Sequence, residues 1–428
     1  MNTMRTLGAL LLAACIGTTA LTAQALVIRG GTVHTLAGAP IEGGTVVIED
    51  GLITAVGDAV SVPAGAEVLD ATGMHVYPGL FDGASNLGLT EVGSVDVTND
   101  MNELGDFNPH LLAMTAIHPA SEHIPVARAN GITHTVAMPG ARPGGIGGQG
   151  TLLHLDGWTV EEMAIEPSVG FVLSWPSLGR RRFRGFGGAA PQSSFSDAKK
   201  QYDERVAAIG AQLDSARHYA AAVEAGNVER NLRLEALARA VNRELPLLVS
   251  ANAEREINDV LDFAESNGVR VVIMGGRFAW RVADRLAEEN VPVILGPTQA
   301  IPAGEDLGYD QVYAQPGQLF AAGVKIGFGT SNASSSRNLP YEVGNAVSYG
   351  LPHDEAIKAV TINTAEILGV GDKLGTIESG KIANLIVTGG DPLEYQTPIH
   401  HVIINGQVSD MMNKHLELYE RYRARPER

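Results

Sequence analysis

Short apolar runs, separated by turns rich in glycine, characterise both ends of the chain. They cover residues 26–29, 45–48 and 53–56 near the start and 385–387 and 401–404 near the end. Short β-branched runs bounded by Gly, Asn and Asp are typical of β-strands. Because two strand-rich ends flank a different middle, we expect one small composite β domain formed from both chain ends, residues 26–80 and 376–410.

The middle of the chain alternates between apolar runs of strand length and amphipathic helical stretches. The predicted strands are 76–81, 133–137, 151–155, 170–174, 247–250, 270–274, 291–295 and 324–328. Apolar strands that alternate with helices favour a parallel sheet covered by helices. The pattern predicts an α/β fold, a TIM-like (β/α)8 barrel over 81–375. We expect a helical insertion around 196–243 and a C-terminal helical tail over 411–428.

The first 25 residues have the pattern of an export signal. Arg5 precedes an apolar run, and Ala23-Gln24-Ala25 fits a small-x-small cleavage site. The run is too short to span a bilayer. We therefore expect an exported, periplasmic protein that is cleaved after Ala25 and has no transmembrane segment after removal of the leader. The alternative is a lipoprotein anchored through Cys15, because residues 12–15 resemble a lipoprotein processing box.

Charge and cysteine content restrict the partners and the chemistry. The chain has 48 acidic and 31 basic residues and a net charge of −17. Because so acidic a surface repels phosphates, we expect no nucleic-acid partner. Cys15 is the only cysteine, so a chain cleaved after Ala25 has no thiol for nucleophilic catalysis or zinc binding.

Three other stretches carry residue types that suggest function. In 118–123, His118 and Glu122 are four residues apart, which predicts one helical face with His123 beside it. These three residues are candidates for acid–base catalysis or a relocated metal site, although a helix start explains them too. The glycine-rich stretch 139–150 predicts a mobile loop over the barrel mouth. The basic run 180–184 is either an anion clamp or a solvated loop.

Residues 76–82, Val-Tyr-Pro-Gly-Leu-Phe-Asp, resemble the amidohydrolase superfamily, close to its imidazolonepropionase-like branch. The resemblance to this superfamily extends to five other segments, 28–33, 291–297, 339–342, 362–369 and 378–385. The resemblance implies a TIM-like barrel with a divalent metal site and a composite β domain from both termini.

The metal-ligand motifs of that family are altered in this chain. The first strand of the family ends in Asp-x-His-x-His, whereas this chain has Asp82-Gly-Ala84-Ser-Asn86. The segment 249–252 lacks the fifth-strand histidine, and 170–175 lacks the lysine that some members carry. Gly275 replaces the sixth-strand histidine, and Ser331 replaces the eighth-strand aspartate. Because these residues are poor zinc ligands, we expect no metal at this site and no cofactor.

Two hypotheses follow. The first is a metal-free binding protein that takes a small-molecule ligand or pairs with an active relative, with a pocket lined by Asn86, Ser250, Asn252, Ser331 and Arg337. The second is a working hydrolase acting on non-peptide C–N bonds, such as those of a cyclic amide, as the resemblance implies. Its first catalytic candidates are His118, Glu122 and His123. A homo-oligomer is compatible with either hypothesis.

Overall fold

The computed structural model describes residues 24–178, 194–226, 228–302 and 307–425. In the described residues the strands are β1 (Leu26–Val33), β2 (Ile41–Glu49), β3 (Leu52–Gly57), β4 (Glu67–Asp70), β5 (His75–Pro78), β6 (Leu80–Ser85), β7 (Ile132–Ala137), β8 (Gly145–His154), β9 (Ala164–Ser174), β10 (Leu247–Ala251), β11 (Val271–Gly275), β12 (Val293–Leu295), β13 (Ile326–Phe328), β14 (Leu385–Thr388), β15 (Ile399–Ile404) and β16 (Gln407–Val408).

The helices of the same residues lie mostly after the barrel strands. They are α1 (His123–Arg128), α2 (Val160–Met163), α3 (Phe195–Glu224), α4 (Leu232–Val241), α5 (Glu254–Asn267), α6 (Ala283–Glu288), α7 (Gln311–Ala321), α8 (Leu339–Ser348), α9 (His353–Ala359), α10 (Ile362–Ile367) and α11 (Lys414–Arg423). Short 3-10 helices cover Asp96–Thr98, Ala113–Ala116, Ala279–Val282 and Ala333–Asn338.

The strands form two sheets, as the sequence predicts. One sheet has the order β16-β15-β14-β5-β1-β2-β3, with β4 beside β1, and so combines both chain ends. The other runs from β6 to β13 in chain order and is a nearly closed barrel. The Ser331 amide after β13 donates to Ala84 O on β6 at 2.7 Å, which joins the two edges of this barrel. The predicted TIM-like barrel and composite β domain are confirmed.

One barrel strand runs in the direction opposite to the prediction. β8 pairs antiparallel with both β7 and β9, whereas the prediction was a parallel barrel. The connection from Ala137 to Gly145 is short and contains no helix, and parallel neighbours need a crossover of about a dozen residues or more. The short connection therefore makes β7 and β8 a hairpin.

The same hairpin corrects the prediction for residues 139–150. They are not a loop throughout, because Gly145–Gly150 belong to β8 and most of them are buried. A Cβ added at Gly147 would lie 1.9 Å from Gly140 O. Glycine is needed there because two backbone segments approach more closely than any side chain allows.

The barrel interior is apolar below the strand ends. Phe81, Val136, Leu152, Leu248 and Ile294, from five different strands, form one buried cluster. This packing leaves the C-terminal ends of the strands as the place where polar side chains can gather, which is where barrel enzymes carry their sites.

Candidate functional site

A cavity of about 500 Å³ opens at the C-terminal ends of the barrel strands. Its volume lies in the range of about 300–1,000 Å³ that is usual for small-molecule sites. The apolar part of its lining includes Met101, Met138, Met274, Ile294 and Leu295.

Four of the five predicted pocket residues line this cavity: Asn86, Ser250, Asn252 and Ser331. Asn86 follows β6 and Ser331 follows β13. Ser250 lies near the end of β10, and Asn252 follows that strand directly. The barrel therefore places all four residues around one cavity. The fifth, Arg337, does not line it. Its Nη1 lies 3.3 Å from Nδ1 of His415, beside α11, because the 3-10 helix Ala333–Asn338 carries it away from the barrel mouth. A binding role for the four cavity residues stays a prediction.

Hydrogen bonds fix the end of β6 to the segment after β13. The side-chain oxygen Oδ1 of Asn86 accepts from the Ala333 amide at 2.5 Å, and its Nδ2 lies 3.4 Å from Thr90 Oγ1. Ser331 has a left-handed backbone with φ of 57° and an exposed side chain. The Asn86 amide is therefore held in place, whereas the Ser331 side chain is solvent-accessible.

The side chain of Asn252, directly after β10, contacts the backbone at the end of β11. Asn252 Oδ1 accepts from the Arg277 amide at 3.3 Å. Gly275 has φ of +84°, and a Cβ added to it would lie 2.8 Å from Asn252 Oδ1. The Asn252 carboxamide therefore occupies the space that a side chain at position 275 would need.

The predicted catalytic residues His118, Glu122 and His123 do not line the cavity. His123 Nε2 lies 2.9 Å from Glu91 O, and the exposed Glu122 carboxylate lies 3.9 Å from Lys414 Nζ. The prediction of one helical face for His118 and Glu122 was wrong, because α1 begins only at His123. Pro119 disfavours helical geometry at His118, which is exposed in the preceding turn. The catalytic role of the three residues stays a prediction.

Asp82 is a site residue whose role the sequence did not reveal. Its carboxylate is fully buried and accepts from the Thr330 amide at 2.9 Å and from Thr330 Oγ1 at 2.5 Å. Burial raises the pKa of Asp82 to about 6, although these hydrogen bonds oppose the shift. Asp82 thus holds the segment that carries Ser331. The sequence feature that pointed to Asp82 was its position as the first residue of 82–86, the segment that corresponds to Asp-x-His-x-His in the family.

Glu342 on α8 supports the neighbouring part of the wall, after β12, in a similar way. Its Oε2 accepts from the Thr298 amide at 2.9 Å, and Thr298 Oγ1 donates to Glu342 O at 2.7 Å. Burial raises the pKa of Glu342 to about 7, the hydrogen bond from Thr298 opposes this, and the charge of Asp82 adds to it. Because Thr298 lines the cavity, Glu342 fixes the shape of that wall.

The described residues bear on metal binding and membrane spanning, and they leave two sequence features outside. Within 24–178, 194–226, 228–302 and 307–425, no group of three or more His, Asp or Glu residues is arranged to hold a metal ion. The helices in those ranges include none that is both long and apolar enough to cross a bilayer. The basic run 180–184 and the leader up to residue 23, with Cys15, lie outside the described residues.

Comparisons with known proteins agree with the fold. Residues 279–409 match the model of the amidohydrolase family. The chain is 25% identical over 385 residues to the amidohydrolase tasK of Hapsidospora irregularis, covering 82% of this chain and 38% of that protein. It is 26% identical over 217 residues to the imidazolonepropionase of Thermoplasma volcanium, covering 48% of this chain and 50% of that protein. The chain thus spans half or less of these two curated relatives.

Among solved structures, the amidohydrolase of Thermotoga maritima superposes with a TM-score of 0.77 and 25% identity. The match covers 90% of this chain and 99% of that one, so it includes both the barrel and the composite β domain. The family model adds independent sequence support in the C-terminal part of the chain. This chain belongs to the amidohydrolase superfamily and is imidazolonepropionase-like.

Proposed function

We propose that the protein binds a small molecule in the cavity at the barrel mouth without a metal ion. The observation that carries the proposal is the set of side chains at the strand ends where the family resemblance places metal ligands. Ala84 and Gly275 offer no donor, and Asn86 and Ser331 offer only neutral oxygens. Such groups bind zinc poorly, so the residues present do not fit the divalent metal that the family implies.

The geometry around Gly275 supports this proposal independently of the residue types. A ligand side chain at this position would need a φ of +84°, which is strained for any residue with a β-carbon, and a shift of the Asn252 carboxamide, whose Oδ1 lies 2.8 Å from that β-carbon. The Asn252 carboxamide packs against Gly275, which has a left-handed backbone and no side chain. This geometry supports a strand end built without a ligand side chain at position 275.

Removal of metal should leave the stability unchanged. No ligand energy links folding to metal at these positions, so thermal unfolding with and without excess EDTA should give the same melting temperature. Metal analysis of the purified protein should find less than stoichiometric zinc. A melting temperature that falls on chelation, or one tightly bound zinc per chain, would contradict the proposal.

The hydrolase hypothesis predicts a different result with the same protein. Zinc-stimulated turnover of hydantoins or acyl dipeptides should be absent if the cavity only binds its ligand, because no metal-activated water is formed. If turnover is present and is abolished by both His118→Ala and Glu122→Ala, the relocated catalytic site is supported instead.

Export is part of the proposal as well. N-terminal sequencing of the protein isolated from its native envelope fraction should begin at Leu26, because Ala23-Gln24-Ala25 fits a signal-peptidase site. A blocked, lipid-modified Cys15 would favour the lipoprotein alternative.

A further inference from the structure

A loop after β6 places three valines in solvent. Residues 91–100, which we call the valine loop, include Val92, Val95 and Val97, and the Val97 side chain is 90% exposed. The loop is held by hydrogen bonds of its own. The Thr98 hydroxyl accepts from the Val92 amide at 3.1 Å and donates to Val95 O at 2.9 Å. A cluster of exposed apolar side chains on such an ordered loop is typical of an interaction site.

The helix α11 also has an uncovered apolar stripe. Leu416, Tyr419 and Arg423 are spaced i, i+3 and i+7, which puts them on one face, and Tyr422 lies beside them. None of the ten residues of α11 is buried, and both tyrosines are more than half exposed. A helix this short is marginal in water without tertiary packing. A surface that covered the stripe would therefore stabilise α11.

The valine loop and α11 carry opposite charges. The loop has no basic residue, and its acidic residues are Glu91, Asp96 and Asp100. The segment 414–425, which contains α11, has four basic and two acidic residues. Within the described part of the chain, Arg421 and Arg425 form no ion pair. The same holds there for Asp96 and Asp100. Both surfaces therefore have charged side chains that are available to a partner.

The two surfaces lie side by side, because Glu122 is between them. The Glu122 amide donates to Glu91 Oε2 at 3.4 Å, and the Glu122 carboxylate lies 3.9 Å from Lys414 Nζ. His123 Nε2, in the next residue, lies 2.9 Å from Glu91 O. Two adjacent surfaces of opposite charge can each meet the other surface of a second copy across a twofold axis, so that the same contact is made twice.

We infer that two copies of this chain pair through this face, with α11 of each copy on the valine loop of the other. The pairing covers the valines and the apolar stripe of α11, and it brings the arginines at the end of α11 to the carboxylates of the loop. An anionic membrane surface would attract α11 but repel the loop, whereas a second copy matches both. The inference concerns assembly and goes beyond the proposed function.

Charge reversal tests the inference by sedimentation velocity of protein purified after expression of the full chain. The helix variant combines Arg421→Glu with Arg425→Glu, and the loop variant combines Asp96→Lys with Asp100→Lys. The unaltered protein should sediment as a dimer. Each variant alone should dimerise at least about tenfold more weakly, because like charges then face each other in both contacts.

An equal mixture of the two variants should form dimers again. In the mixed pair the acidic helix of one variant meets the basic loop of the other, and the basic helix meets the acidic loop. Recovery in the mixture also shows that both variants are folded. Asp58→Lys with Glu67→Lys, at exposed positions of the composite β domain, is the matched control and should leave the dimer unchanged.

Several results would overturn the inference. They are an unaltered protein that stays monomeric at high micromolar concentration, a dimer that neither variant weakens, a control that weakens it equally, and folded variants whose mixture stays monomeric. If circular dichroism shows that a helix reversal impairs folding, Arg421→Gln with Arg425→Gln should still weaken the dimer, and an unchanged dimer would then overturn the inference. None of these results depends on the cavity, so the metal-free proposal is tested separately by the zinc analysis.

Discussion

Gly147→Ala should lower the free energy of unfolding by about 3 kcal/mol or more, the largest effect we expect from a single methyl group in this protein. The new β-carbon would lie 1.9 Å from Gly140 O and 2.7 Å from its carbonyl carbon. Backbone atoms cannot rotate away as a side chain can, so the connection between β7 and β8 would have to move away from β8. Urea unfolding followed by circular dichroism measures the loss.

Gly38→Ala is the matched control for this prediction. No heavy atom lies within 4 Å of a Cβ added at Gly38, and its backbone is outside the left-handed region. We expect its stability to change by less than about 0.5 kcal/mol. If both alanine variants unfold at the same urea concentration, the close approach at Gly147 is not a constraint on the fold.

The second large effect is a change in pH dependence on Glu342→Gln. Burial raises the pKa of Glu342 from its ordinary 4.5 to about 7, so ionisation in the folded state becomes costly as pH rises through this interval. The contribution of this group to stability is therefore present at low pH and is lost above pH 7. Between pH 5 and pH 8, the variant should gain about 2–3 kcal/mol relative to the unaltered protein.

Comparison with the variant is needed because other buried groups act in the opposite direction. Burial lowers the pKa of His154 to about 4, so its contribution to stability is present above pH 6.5 and is lost as pH falls. That contribution is common to both proteins and cancels in their difference. Glu103→Gln, at an exposed position, controls for the loss of one negative charge. Parallel pH profiles for the Glu342 variant and the unaltered protein would show that Glu342 does not titrate as described.

Most of the fold could be predicted from the apolar runs. Each of the eight predicted barrel strands overlaps a strand of the structure, because a buried strand must be apolar along its whole length. The direction of β8 could not be predicted in this way, since an apolar run looks the same in either direction. Only the short connection from Ala137 to Gly145 indicates the hairpin. The first half of β8 is rich in glycine, so the sequence predicted a loop where the structure has a buried strand.

The position of the cavity-lining residues was predictable where it depends on strand ends. Asn86, Ser250, Asn252 and Ser331 share a cavity because the barrel brings the ends of its strands together, whatever the loops do. Gln315 and Glu342 were not predictable, because they reach the cavity region from helices α7 and α8 and depend on how those helices are rotated. The left-handed backbone of Gly275 also has no signature in the sequence beyond the glycine itself.

Gly275 and Asn252 also limit which residues can replace the glycine over evolutionary time. A histidine introduced at position 275 meets the Asn252 carboxamide while that side chain is present, and an unfavourable φ in addition. The exposed Asn252 side chain can rotate away, but its Oδ1 then no longer accepts from the Arg277 amide. The backbone strain at position 275 remains after that rotation, so the present pair is more easily kept than exchanged for a side chain at this position.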